Sequence, residues 1–202
     1  MKYSKTTVTK IFKLLLLVFC ICMAFSCNSQ KKASKNDCSL FNDKFHKFQM
    51  NGVKDSVLFY INKAIECDPK EQFFRLEKAK YYIVNNQLEQ ASMVIKGMDL
   101  ENEPSLKLMD IVIDLKLQRI SAITELKSIY LQYSKDEIGP EESNIFIYKI
   151  ALINYFEGKT EALKVLNKAK DNNEIKGLID FIELNIKNKT KKDVLYTLFN
   201  IN

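Results

Sequence analysis

Residues 57–69 read VLFYINKAIECDP, and residues 91–98 read ASMVIKGM. In the first stretch Val57, Ile61 and Ala64 recur at spacings of four and three, and the run stops at Asp68-Pro69. That is the apolar stripe of an amphipathic helix, ended by a proline that cannot continue it. Ile95 stands 34 residues after Ile61, and Met98 stands 34 residues after Ala64. The stripe therefore recurs one period later. Working outward, breaks at Asn51-Gly52, Pro104, Gly139-Pro140 and Gly158-Lys159 separate further stretches with apolar residues three and four apart, which predicts a run of helical hairpins from Cys38 onward. The 202 residues are 47 % hydrophobic and 28 % charged, with 5 Gly, 3 Pro and no Trp, a composition suited to one compact domain. So few glycines count against phosphate-cradling loops. One histidine, His46, counts against histidine metal sites and most histidine-assisted nucleophiles.

The repeat resembles the tetratricopeptide repeat, a 34-residue helix-turn-helix unit with small residues where its helices cross and a proline near its end. The resemblance implies an all-α fold, a right-handed α-solenoid of antiparallel helical hairpins, with about four to five repeats in residues 38–202. Taking Pro69 as a closing proline puts Phe41, Phe45 and Phe48 on the first helix of unit one, Gly52 in its turn, and Val57, Ile61 and Ala64 on its second helix. Ala79, Tyr82 and Ala91 fall where the family prefers small, aromatic and small residues. The third unit, Ser105 to Gly139, keeps the length but not the small residues. The fourth recovers the pattern with Ala151, Gly158, Ala162, Leu166 and Ala169, and residues 174–202 form a final hairpin expected to cap the stack.

Residues 1–26 carry Lys2, Lys5, Lys10 and Lys13, no acid, and the apolar run Leu14 to Phe25. Twelve residues fall short of the roughly 20 that span a bilayer, so this reads as a secretory signal. Ala24-Phe25-Ser26-Cys27 resembles the lipobox of bacterial lipoproteins, which implies that Cys27 is acylated and becomes the mature N-terminus. Ala24 and Phe25 depart from that pattern, and Ala24-x-Ser26 also fits an ordinary cleavage site. Removing the signal takes four of the 31 basic residues and none of the 25 acids, leaving 27 against 25, too small an excess to favour nucleic acid. Residues 27–37 then form a lipidated cysteine and polar tether. Its ten residues after Cys27, at about 3.3 Å each, hold the domain within about 33 Å of the membrane. After Cys27 the chain lacks an acidic run of the kind that resembles surface-export signals in some lipoproteins, so that resemblance implies the periplasmic face of an outer membrane over the cell surface.

Cys38 opens the first helix of unit one and Cys67 closes the second, ends that lie side by side in an antiparallel hairpin. A disulfide is expected between them, with two buried free thiols as the alternative. In the repeat family the first helices of successive units line a concave groove for a partner segment. The register makes Asn42, His46, Phe73, Leu76, Lys80, Ile83, Asp110, Tyr148 and Tyr155 candidate groove residues. For the unit-four aromatics, burial under the C-terminal hairpin is an equal reading. Asp110 and Asp114, one turn apart, are expected on a solvated face, and would carry catalysis only if the chain were a carboxylate-dependent enzyme. No cofactor or metal site is expected. The leading expectation is a membrane-anchored, non-catalytic scaffold that binds an envelope protein or peptide. A binding protein for a small ligand or glycan is the main alternative.

Overall fold

The computed structural model describes residues 35–135, 142–170 and 175–201, and among the described residues it is all-helical, with ten helices and no strand. The signal stretch, Cys27 and the Gly139-Pro140 break lie outside the described residues. The helices are α1 (Lys35–Met50), α2 (Lys54–Cys67), α3 (Gln72–Val84), α4 (Leu88–Lys96), α5 (Pro104–Lys116), α6 (Ala122–Lys135), α7 (Ser143–Phe156), α8 (Lys159–Lys168), α9 (Lys176–Asn188) and α10 (Lys191–Leu198). The tether expected over 27–37 is therefore shorter at its far end, since α1 starts at Lys35. No helix among the described residues is long and apolar enough to cross a membrane.

Several helix ends have local causes. The Glu71 carboxylate accepts from the backbone N–H of Phe73 at the start of α3, and Thr190 caps α10 by accepting from the N–H of Asp193 at 3.3 Å. Pro104 opens α5, where its missing N–H has no partner to lose. The ends of α1, α3 and α5 share one device. Gly52 (φ 70°), Asn86 (φ 56°) and Gln118 (φ 58°) are left-handed, and the next N–H reaches back five residues, Val53 to Phe48, Gln87 to Tyr82 and Arg119 to Asp114. This closes otherwise unpaired carbonyls and reverses the chain. At α7 the same bond comes from Gly158 itself, to Ile153, one residue earlier.

Neighbours in sequence are neighbours in space. α1 packs on α2, α3 on α4, α5 on α6 and α7 on α8, and the second helix of each pair packs on the first of the next. Short turns make these pairs antiparallel, so the turns 51–53, 85–87 and 117–121 lie at one edge and the loops 68–71 and 97–103 at the other. Phe45, Val57, Ile61, Ala64, Phe74 and Tyr81 fill the first layer. A larger core runs from Ala79 through Leu108, Leu126, Ile150 and Leu166 to Ile201, and Tyr82 packs against both. Cys38 and Cys67 are joined by a disulfide across the open end of the first hairpin, their Cα atoms 5.5 Å apart and 29 residues apart in sequence. The C-terminal hairpin does more than cap. α9 lies on α7 and α8, whereas α10 turns back against α5 and α7.

Two expectations follow for stability. A loop of about 30 residues gives a crosslink worth about 3–4 kcal/mol in the chain-entropy model, so replacing Cys38 and Cys67 together by alanine should lower the unfolding free energy by about that much in urea titration. A loss below about 1 kcal/mol would mean that the first hairpin holds without its crosslink. A left-handed L-residue costs about 1–2 kcal/mol, and asparagine tolerates that conformation best. Gln118→Gly should therefore stabilise the chain by about 0.5–1 kcal/mol, and Asn86→Gly by less.

Candidate binding face

The first helices of the four hairpins place side chains along one side of the molecule. α3 has the period for this, because Glu77, Lys80, Ile83 and Val84 lie within one stripe of a helix. Together with His46 and Gln49 of α1, Met109 of α5 and Tyr148 of α7, they line a cavity of about 430 Å³. Leu198, Phe199 and Asn200 form its end wall. The fold thus supplies the wall through α10, whose Val194 and Leu195 are fully buried.

The two sides of the cavity differ chemically. On the polar side, the Lys80 ammonium donates to Glu77 Oε1 at 2.9 Å and His46 Nε2 lies 3.8 Å from Glu77 Oε2. The Glu77 side chain is 14 % exposed and Lys80 is 51 % exposed, so the lysine is the member that reaches solvent. The apolar side is Ile83, Val84, Met109 and the stacked pair Tyr148 and Phe199, whose ring centroids are 5.4 Å apart. Burial pushes the Tyr148 hydroxyl above its ordinary range, which keeps the ring neutral at physiological pH. Such a surface suits apolar anchoring beside a polar group that orients the bound segment.

Of the residues singled out from the sequence, His46, Lys80, Ile83 and Tyr148 meet at this cavity. Phe73 and Leu76 lie on the same helix but line a separate notch of about 290 Å³ with Glu71, Met98, Glu103 and Leu106. Asn42 is half-buried on α1 and lines neither. Tyr155 is not a groove residue, being 7 % exposed with the Lys191 ammonium over its ring at 4.9 Å. The residues missed were Glu77, Val84, Met109, Leu198, Phe199 and Asn200. Glu77 had a signal, its spacing of three from Lys80; nothing local marks Phe199.

Asp110 is also not a groove residue, and neither it nor Asp114 is solvated. They are 6 % and 5 % exposed and face α4. The Ser92 hydroxyl donates to Asp110 at 2.9 Å, Lys96 donates to Asp114 at 3.1 Å and lies 3.6 Å from Asp110, and Arg119 donates to Asp114 at 2.6 Å. Burial raises the Asp110 carboxyl above the ordinary range and the neighbouring Asp114 adds to this, against the opposing pull of Ser92 and Lys96. Among the described residues no group of three or more histidine, cysteine or acidic side chains could hold a metal ion.

The chain matches no protein-family model, and comparison with curated proteins and with solved structures finds no similar protein.

The buried pair has a pH signature. A raised folded-state value means that the native state binds a proton more readily than the unfolded chain, so Asp110 opposes stability above that value and ceases to as pH falls through it. Asp110→Asn should therefore be near neutral or stabilising at pH 7, and that relative gain should shrink toward pH 4. Asp114→Asn removes the counter-charge of both Lys96 and Arg119 and should cost about 1–2 kcal/mol, discounted because both cations reach solvent. Denaturant titrations of the two variants at pH 4, 5.5 and 7 measure both effects.

Proposed function

We propose that the chain is a tetratricopeptide-like, right-handed α-solenoid that acts as a non-catalytic scaffold, binding a segment of an envelope protein in the open half of its concave face. Export through residues 1–26 and acylation at Cys27 anchor it to a membrane, with the periplasmic face of the outer membrane as its place of work. The second helices of the first three hairpins begin at Lys54, Leu88 and Ala122, each 34 residues after the last, and this spacing supports the repeat. One observation carries the binding reading. The cavity of about 430 Å³ joins an apolar floor to the Glu77–Lys80 pair and is walled at one end by α10. A bound segment would run over α1 and α3 and stop at Phe199, with apolar side chains over Ile83 and Met109 and a polar group at Lys80. The same volume lies within the range of small-molecule sites, which favours a small ligand or glycan as the second reading.

Photo-crosslinking in cells tests both. Probes replacing His46 and Lys80, with a control at the outward Lys168, should capture one discrete protein from the groove positions only. Capture equal to the control would overturn the scaffold reading. In that case a thermal shift with a small ligand, lost in Met109→Glu, would support the second.

A further inference from the structure

We propose that this chain associates head to tail with a second copy of itself, the hairpin-turn edge of one molecule seating on the inter-hairpin edge of the next. The turn edge carries apolar side chains that the fold leaves uncovered. Ile120 is 100 % exposed, Met50 81 % and Val84 61 %. Exposed singly such residues are ordinary, but here three successive turns each present one at the same edge. The opposite edge holds the notch of about 290 Å³ between the starts of α3 and α5, lined by Phe73, Leu76, Met98 and Leu106. Its size accepts one branched aliphatic side chain, and Ile120 is the most prominent one on the molecule.

The charges on the two edges match as the shapes do. Loops 68–71 and 97–103 carry Asp68, Glu71, Asp99, Glu101 and Glu103 against Lys70, with Lys96 and Arg75 the bases beside them. Turns 51–53, 85–87 and 117–121 carry no acid; Lys54 and Lys116 stand beside them with Asp55 next to Lys54, and Arg119, in the last turn, is paired with Asp114. Opposite signs at opposite edges draw the turn edge of one copy to the loop edge of another, while a symmetric contact between like edges places like charges together. This selects a heterologous contact over a two-fold one. It also selects the occupant. An anionic membrane or an acidic protein would match the turn edge alone and leave the notch empty, whereas a second copy satisfies both edges at once. Such a contact leaves one free edge at each end, so copies add in an open series or close into a ring.

The test uses the full chain in cells. A photo-crosslinking probe replacing Ile120 should give an adduct of twice the chain mass, with the crosslinked peptide mapping to 71–76 or 103–106 of the second copy. Two differently tagged copies then separate the edges. Ile120→Asp keeps only the notch edge, and Glu101→Lys with Glu103→Lys keeps only the turn edge. All three positions are exposed, and unchanged helical circular dichroism checks the fold. Each variant paired with itself should lose co-capture about ten-fold, and the two variants paired with each other should recover at least half of the wild-type signal. No adduct at twice the mass, an adduct to another region or only to another protein, undiminished self-capture by Ile120→Asp, or a mixed pair no better than its parts would each overturn the proposal.

Discussion

The whole structure depends on helices crossing closely over side chains no larger than a methyl group. Ala64, Ala79, Ala91, Ala122, Ala151 and Ala162 are at most 1 % exposed, and they fall on six of the seven helices from α2 to α8. Alanine brings no rotamer entropy to lose and lets two helix axes approach toward about 8 Å. A longer side chain at these points would wedge the pair apart and strain every neighbour. Because each hairpin buries one face on the hairpin before it, the crossings propagate along the chain, and the first helices end up side by side. The cavity is a consequence of that alignment, since His46, Lys80, Met109 and Tyr148 come from four different helices with no sequence contact among them.

The last helix decides how much of that alignment stays open. By turning onto α5 and α7, α10 buries Val194, Leu195, Tyr196 and Phe199 and covers the aromatic half of the face. The covering is reinforced by cations over rings, Lys191 on Tyr155 and Lys116 on Tyr196 at 4.9 and 4.8 Å. It shifts the open site toward α1 and α3. It also leaves the outer face of α9 bare, with Leu178, Phe181 and Leu184 at 36 to 61 % exposure, where a second helix of that hairpin would otherwise lie.

Helix content and most boundaries were legible because apolar period and turn chemistry are local. Gly52 and Gly158 announced two reversals, and the structure gives both a positive φ. Asn86 and Gln118 make the same reversal without glycine, so the second and third turns were less visible. The cavity was half legible. His46, Lys80, Ile83 and Tyr148 follow from the register that the repeat resemblance implies, whereas Phe199 reaches the site only because α10 doubles back, and no pattern within residues 191–201 encodes that direction. Asp110 and Asp114 misled for a related reason. Two acids at a spacing of four look the same on a solvated helix face and on a buried one, until Lys96 and Arg119 are seen to meet them.

Those acids set how the third hairpin meets the second. Where the other crossings use alanine, α4 meets α5 through Ser92 and Lys96 on one side and Asp110 and Asp114 on the other, both pairs spaced by four. The four side chains form one cluster, in which Ser92 lies 2.9 and 3.4 Å and Lys96 3.6 and 3.1 Å from Asp110 and Asp114. A slip of one turn would leave a buried carboxylate without its donors, at a cost of several kcal/mol. The cluster therefore fixes the register of α5 more than it adds net stability, because desolvation of Asp110 offsets much of the attraction. Register is what the site requires of α5. Met109 is the residue next to Asp110, turned about 100° around the helix axis, so the interaction that holds Asp110 against α4 also holds Met109 on the cavity floor.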